Sequence, residues 1–228
     1  MIDQPAHMTS GEEIKASSRQ RMLDAFEFND PDKIPVVYHP STAGLYVHGK
    51  KLLDLLNQYP PDNPILFDHL PRPPEHAFDD EGQYHELIKD EWGTLWEYRI
   101  FGIQGHPKEY PFSSWKEGLE YSLPAIPQPG TDAYEKEKTE VQKDMEQFLI
   151  FKGWISIFEK LHALRPMDEM LMDLATREND IIPFIERLTD YWTEVIHYYL
   201  EIGADVIVFG DDWGSQTGQF VSTNPDYS

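Results

Sequence analysis

The chain has 228 residues, of which 40% are hydrophobic and 13% aromatic, which is enough to build the core of at least one domain. Its formal net charge of −22 argues against binding to nucleic acid or to anionic membranes, because both are themselves negatively charged. The absence of cysteine excludes disulfides and thiolate metal sites built from these residues. No apolar run is long enough to span a membrane, and we predict a cytoplasmic protein.

The first half of the chain predicts helices and strands separated by proline-rich loops. Residues 1–16 are polar and are expected to be flexible; a serine-capped helix follows them. Residues 34–38 are typical of a strand, and residues 49–59 predict a helix with a leucine stripe. Residues 92–100 carry aromatic side chains on alternate positions, which indicates another strand. Its aromatic face is expected to pack on the core; the alternative is that one tryptophan stacks on a ligand.

The second half predicts a strand, several helices and another strand. Residues 131–147 indicate a surface helix, and residues 148–151 a short buried strand. A helix opened by Pro166 leads into a longer one over residues 179–203, whose apolar stripe includes Trp192 and Tyr199 and which is expected to stop at Gly203. A strand at residues 206–209 follows it. A strand–helix–strand order of this kind favours a right-handed crossover between parallel strands.

The residues after the last predicted strand are the first candidates for a functional site. The run at 206–209 is apolar, β-branched and bounded by glycines, which is typical of a buried strand in a parallel sheet. Asp211, Asp212, Trp213 and Gln216 follow it, at the end of the strand where α/β folds place their chemistry. We predict that both aspartates are catalytic and that Trp213 and Gln216 bind substrate. The alternative is a polar loop whose aspartates cap the next helix.

A second candidate group follows the strand predicted at residues 34–38. Tyr38 and His39 stand at its end, before a polar loop, and are candidate substrate-binding residues. The alternative for His39 is an ordinary structural hydrogen bond. The nine histidines show no close ligand spacing, so we expect no metal site within this chain.

The end of the chain predicts that the fold continues beyond it. Residues 222–226 combine a capping side chain with a proline and an acid, which indicates a helix start directly before Ser228. About four strands are predicted, whereas a closed (β/α)₈ barrel needs eight. The expectation is a fragment that lacks its C-terminal part.

Four short stretches occur in an order that matches a known group of enzymes. They are Pro-Asp-Lys-Ile-Pro-Val after the first helix, Asp-Glu-Trp-Gly-Thr at 90–94, Gly-Ala-Asp-Val-Ile at 203–207 and Asp-Asp-Trp-Gly-Ser-Gln at 211–216. Together they resemble the uroporphyrinogen decarboxylase-like superfamily. The resemblance implies an α/β fold, a (β/α)₈ TIM barrel, with residues 17–228 as its N-terminal portion and the C-terminal strands missing.

Departures from the family pattern bear on the subfamily. True uroporphyrinogen decarboxylases carry the stretch Arg-Gln-Ala-Gly-Arg-Tyr. The stretch of this chain that resembles it is Ser-Thr-Ala-Gly-Leu-Tyr, so Ser41 and Leu45 replace both arginines. A tetrapyrrole with eight carboxylates needs cationic partners, and their loss favours the methyltransferase-like branch. The retained Tyr46 is carried over as a substrate-binding residue. Asp68, after Ile-Leu-Phe, resembles the catalytic aspartate of the family.

The resemblance implies an enzyme that moves a methyl group between a small methylated compound and a corrinoid or thiol acceptor. A corrinoid protein is then an expected partner, and a homodimer is compatible with the family. The zinc ligands of that branch would lie beyond Ser228. One alternative is a decarboxylase of a tetrapyrrole, in porphyrin metabolism, or of another acid, in which Asp68 stabilises a protonated intermediate. The other is a non-catalytic binding or scaffold barrel.

Overall fold

A computed structural model describes residues 16–64 and 69–212, and the backbone of residues 214–215 and 218–219. Within these residues the α-helices are α1 (Ser18–Phe26), α2 (Thr42–Gln58), α3 (Trp115–Glu120), α4 (Asp132–Asp144), α5 (Phe158–Leu164), α6 (Met167–Thr176) and α7 (Ile181–Ile202). The strands are β1 (Glu86–Lys89), β2 (Leu95–Tyr98), β3 (His106–Glu109), β4 (Phe151–Ile155), β5 (Val206–Phe209), β6 (Gly214–Ser215) and β7 (Gly218–Gln219). A 3₁₀ turn covers Glu75–Ala77.

The strands form three small sheets. Strands β1, β2 and β3 make an antiparallel meander, and β6 pairs with β7 in a short antiparallel ribbon. Strands β4 and β5 are parallel, with Phe151 opposite Val206 and Ile155 opposite Phe209. Helices α5, α6 and α7 connect them, so the predicted parallel pairing across a helical connection is confirmed.

The predicted (β/α)₈ barrel is wrong for the part of the chain that the structure describes. Only β4 and β5 pair in parallel there, and the aromatic strand joins the antiparallel meander as β2. The strand predicted at residues 148–151 begins only at Phe151. The predicted flexible segment lies outside the described residues except for Ala16, and the helix start at residues 222–226 lies outside them entirely.

Residues 34–38 do not form the predicted strand, because side chains take the place of a neighbouring strand. The amide of Val36 donates to Asp62 Oδ2 at 2.9 Å, and the amide of Tyr38 donates to Asn63 Oδ1 at 3.1 Å. The carbonyl of Val36 accepts from the Asp62 amide at 2.7 Å. The segment is therefore extended and hydrogen-bonded without belonging to a sheet.

Helix α7 organises the core. Its buried residues Ile181, Phe184, Leu188, Val195 and Ile202 follow spacings of three, four and seven, which place them on one side of the helix. Gly203 ends the helix in the left-handed region with φ of 107°, as its sequence position predicts. The main buried cluster consists of Trp92, Phe112, Trp115, Leu161, Leu164, Met170, Ile181, Phe184 and Leu188.

Arg165, just after α5, joins three helices of this core. Its guanidinium donates to the carbonyl of Ser113 and to Asp173 Oδ2, the latter at 2.9 Å, and lies 5.4 Å from the ring centroid of Trp115. Asp173 also accepts from Trp115 Nε1 at 2.7 Å. Trp115 belongs to α3 and Asp173 to α6, so one buried cation fixes the relative positions of α3, α5 and α6.

A second arginine attaches α1 to the parallel strand pair. Arg19 donates from both terminal nitrogens to the Asp205 carboxylate, each at 2.6 Å, and from Nη1 to the carbonyl of Phe148. Asp205 also accepts from the amide of Ile150 at 3.0 Å. The hydrogen bonds from Arg19 lower the pKa of Asp205, against the opposing effect of burial.

Asp205→Asn is therefore expected to remove an acid-sensitive part of the stability. Because the folded pKa is lowered, the contribution is complete above the unfolded pKa, near ~3.9, and is lost as the pH falls through the folded pKa. Urea titrations should show the variant about 1–2 kcal/mol less stable at pH 7, with the difference shrinking below about pH 4. Asp54→Asn, which alters an exposed pair with Lys50, should show little effect at either pH. An Asp205→Asn difference that stays constant with pH would contradict the assignment.

Candidate functional site

Two adjoining cavities lie between β4, α5 and α7. Their volumes are about 490 and 290 Å³, and both are lined by Trp154, Lys160 and Trp192. We call this pair of cavities the tryptophan cleft. The larger cavity is bounded by an unusual number of aromatic rings, which are Trp92, Trp154, Tyr191, Trp192, Tyr198 and Tyr199.

Helix α7 supplies most of these rings. Positions 191, 192, 195, 198 and 199 all line the larger cavity, and this is the spacing of one helical face. Trp192 Nε1 donates to the carbonyl of Ser156 at 2.8 Å, which holds its indole against the end of β4. Trp92 packs edge-on against Tyr191, with ring centroids 5.1 Å apart, and is only 4% exposed. The wall is therefore fixed by the core behind it.

Lys160 is the cationic group shared by both cavities. Its Nζ lies 4.2 Å from the ring centroid of Trp92, a cation–π contact, and the side chain is half-buried. Within the described residues, Lys160 forms no ion pair with a carboxylate. Burial lowers the pKa of Lys160, while the nearby charges of Asp90 and Glu91 act in the opposite direction.

Apart from the solvent-exposed Glu91, the other ionisable groups of the larger cavity are paired or neutral. Glu137 accepts from Lys152 Nζ at 2.7 Å and from the Tyr198 hydroxyl at 2.6 Å. Burial opposes ionisation of Glu137, but these two hydrogen bonds outweigh it and leave its pKa lowered. Burial raises the pKa of Tyr191 to about 12, so its phenol stays protonated at neutral pH. Lys160 is thus the half-buried lining group that no oppositely charged side chain of the described residues pairs with.

Trp154 connects the cleft to the loop after β5. Gly153 adopts φ of 91°, and the β4–β5 register shifts between Lys152 and Ile155, which leaves the Trp154 side chain 70% exposed. Its indole lies against Gly210, where an added Cβ would come within 2.4 Å of Cε2. Only a glycine at position 210 fits this arrangement, and the next residue is Asp211.

The two adjacent aspartates have different surroundings. Asp211 is half-buried and accepts from the amides of Ile157 and Glu159 at 2.8 and 3.1 Å, so it caps the start of α5. Asp212 is exposed. The sequence leaves open that these aspartates cap the helix after β5. Asp211 does cap a helix, but that helix is α5, which precedes β5 in the chain. The catalytic roles of both residues stay predictions.

Asp211→Ala and Asp212→Ala should therefore differ in their effect on stability. Loss of the cap at Asp211 is expected to cost about 0.5–2 kcal/mol, whereas truncation of the exposed Asp212 should change stability by less than about 0.5 kcal/mol. Chemical denaturation of the two variants measures this difference. Equal losses would mean that the amides of Ile157 and Glu159 do not depend on Asp211.

The other predicted residues lie in different surroundings or outside the described residues. The hydroxyl of Tyr38 donates to the carbonyl of Tyr59, and His39 is exposed. Tyr46 packs edge-on against Phe101, with centroids 5.3 Å apart, and lines a separate cavity of about 510 Å³. Asp68, Trp213 and Gln216 lie outside the described residues.

The sequence prediction missed most of the tryptophan cleft. Trp192 and Tyr199 appeared only as part of the apolar stripe of α7, and Lys160 belongs to no recognisable motif. The repeat of tyrosine and tryptophan at positions 191, 192, 198 and 199, on one face of a helix, is the signal that could have indicated a cavity. Trp92 packs in the core, as expected, and also lines the cleft, whereas stacking of a tryptophan on a ligand stays a prediction.

Metal ligands, membrane-spanning helices and similarity to known proteins each bear on what the chain could do. In the parts of the chain that the structure describes, no group of three or more metal-ligating side chains is placed to hold an ion. No helix in those parts is both long and apolar enough to cross a membrane. Comparison with known protein families, with curated proteins and with solved structures finds no match in any of the three.

Proposed function

We propose that the chain belongs to an enzyme of the uroporphyrinogen decarboxylase-like superfamily that moves a methyl group from a small methylated compound to a corrinoid or thiol acceptor. We propose further that the tryptophan cleft receives the methylated compound. The order of the four family motifs supports the first statement, and the aromatic walls of the cleft support the second.

The observation that carries this proposal is an open aromatic cavity beside the ends of the parallel strands. A volume of about 490 Å³ lies within the range of small-molecule sites. Methyl groups on oxygen, nitrogen or sulfur are slightly positive, and aromatic faces attract them, most strongly when the compound is cationic.

Residues at the end of β5 would orient the substrate. Gly210 packs against Trp154, so the loop that carries the two aspartates borders the cleft. We assign the orienting contact to the exposed Asp212. Asp211 acts as a positioning residue, because it caps the helix on which Lys160 lies.

The described residues do not supply a zinc site, since they contain no suitable group of ligands and the chain has no cysteine. The methyl transfer proposed here therefore does not use a zinc ion held by the described residues. As the resemblance implies, the acceptor would be a corrinoid brought by a partner protein or would be a thiol.

Methyl transfer is tested by incubating the protein with cob(I)alamin and a panel of small O-, N- and S-methyl compounds. Formation of methylcobalamin, followed by absorbance, is the expected result for at least one of them. Trp154→Ala should lower that rate at least about tenfold, because the exposed indole forms part of the wall. Asp54→Asn, far from the cleft in sequence and exposed, is the control. Absence of methylcobalamin with every compound would exclude a free corrinoid acceptor, and absence of a methylated thiol as well, when a small thiol replaces cobalamin, would contradict the proposal for this chain.

Decarboxylation of an acid is the second candidate, and Lys160 favours it. One amine can bind or activate one carboxylate-bearing substrate, whereas a tetrapyrrole with eight carboxylates needs many cations. The buried arginines Arg21 and Arg165 are already engaged in structural ion pairs. We expect no efficient turnover of uroporphyrinogen; its rapid decarboxylation would contradict the subfamily assignment. Ligand binding without either activity would instead support a binding protein.

A further inference from the structure

We propose that Lys160 is a nucleophilic amine that forms an imine with aromatic aldehydes or ketones entering the tryptophan cleft. This proposal does not depend on methyl transfer. It rests on the position of the amine, which lines both cavities of the cleft and lies over the face of Trp92.

Lys160 is set apart by its burial in the cleft, and it also lacks the carboxylate partner that three other lysines of the described residues have. Lys50, Lys108 and Lys152 each form an ion pair with a carboxylate, at 2.6, 3.2 and 2.7 Å. Such pairs keep the amine protonated, and a protonated amine has no electron pair with which to attack. Lys160 has the face of Trp92 in place of a carboxylate, a contact that also attracts the protonated amine but more weakly than an ion pair.

The two nearest acids only partly oppose loss of the proton from Lys160. Asp90 already accepts from the Thr94 amide at 2.9 Å and from Trp96 Nε1 at 2.8 Å, so both of its oxygens are engaged. Glu91 is exposed, and water screens its charge. Burial remains the largest influence and lowers the pKa of Lys160.

The reaction balances without any oxidant or reductant. The Nζ electron pair attacks the carbonyl carbon, a C–N bond forms, and the carbonyl π electrons move to oxygen. One proton then passes from nitrogen to that oxygen. A second proton reaches the oxygen, the C–O bond breaks, water leaves, and nitrogen gives up its remaining proton to leave the neutral imine.

The smaller cavity that Lys160 lines also contains a group able to carry protons. Glu159 and His162 line the smaller cavity together with Lys160, and His162 Nε2 lies 2.8 Å from Glu159 Oε2. Histidine exchanges protons near neutral pH, and the carboxylate holds its ring in place. The pair can accept the proton that the nitrogen loses and return one to the departing oxygen.

The class of carbonyl compound follows from the walls of the cleft. Trp154 and Trp192 line both cavities, so a planar ring attached to the carbonyl can stack there while its carbon reaches Lys160. An aliphatic aldehyde would lack this contact. Aromatic aldehydes and ketones are therefore the expected substrates.

Reductive trapping tests the proposal. The protein is incubated with benzaldehyde and sodium cyanoborohydride at pH 7.5, and modified lysines are mapped by peptide mass spectrometry. Lys160 is expected to be labelled at least about tenfold faster than Lys138, the matched control, whose Nζ lies 5.5 Å from the ring centroid of Tyr134 outside the cleft. Labelling by propanal should show a smaller preference for Lys160.

Two variants complete the test. Lys160→Met should abolish the fast phase of labelling, and Trp154→Ala should slow labelling of Lys160 several-fold through loss of stacking. The proposal is overturned if Lys160 reacts no faster than Lys138, or if the fast phase persists in Lys160→Met. The comparison of lysines within the wild-type protein decides the question even if a variant fails to fold.

Discussion

Trp92→Ala is expected to cost about 3–5 kcal/mol of the free energy of unfolding. Trp92 is 4% exposed and packs among the main cluster, against Tyr191 and Trp192 with ring centroids 5.1 and 5.5 Å away. Alanine would leave a large cavity and would remove the ring beneath Lys160. The stability loss can be read from urea unfolding followed by circular dichroism.

A second tryptophan of the same cavity provides the control. Trp154 is 70% exposed, so Trp154→Ala should change stability by less than about 0.5 kcal/mol. Trp92→Phe, which keeps an aromatic ring, should fall between the two. Similar losses for Trp92→Ala and Trp154→Ala would show that the cleft wall is not an extension of the core.

Arg165→Met is expected to destabilise the protein by about 3–5 kcal/mol, the usual result of removing one partner from a buried ion pair. Arg165 is 6% exposed, and its loss leaves Asp173 and the carbonyl of Ser113 without their cation. Arg165→Lys should recover only part of this stability, because one ammonium cannot reproduce the bonds of the planar guanidinium. Thermal or urea unfolding measures both variants.

The contrasting case is Lys50, whose partner Asp54 lies one helical turn away. The two side chains are 79% and 57% exposed, so Lys50→Ala should cost no more than about 0.5 kcal/mol. If Arg165→Met were equally mild, then the contact between α3, α5 and α6 would have to depend on the apolar cluster alone.

Local patterns predicted the elements whose structure depends on their own residues. The apolar run of β5, the stripe of α7 and the stop at Gly203 all follow from side-chain spacing or backbone freedom, and each is confirmed. Even so, β5 is only partly buried, whereas the sequence indicated a strand covered on both faces.

Elements that depend on a partner could not be predicted in the same way. Residues 34–38 have strand-like composition, yet Asp62 and Asn63 satisfy their amides, and neither residue lies near them in sequence. The predicted barrel rested on the resemblance of short motifs, which carry no information on how the strands pair. The antiparallel pairing of β2 with β1 and β3 contradicts it.

The same distinction applies to the candidate site. The position of Asp211 and Asp212 directly after β5 follows from the sequence, but the capping of α5 by Asp211 depends on the parallel pairing of β4 and β5. Lys160 could not be predicted as a site residue, because a single lysine forms no sequence pattern. Lys160 becomes a candidate only through its contact with Trp92, which lies 68 positions earlier in the chain.

The bond between Arg19 and Asp205 has a consequence for synthesis of the protein in the cell. It joins residues 186 positions apart, and β4 cannot pair until β5 exists. At about 5–20 residues per second, a ribosome needs roughly 10–40 s to make the intervening chain. During that interval Arg19 of α1 cannot form its ion pair with Asp205. The nascent chain must therefore stay free of aggregation without this contact.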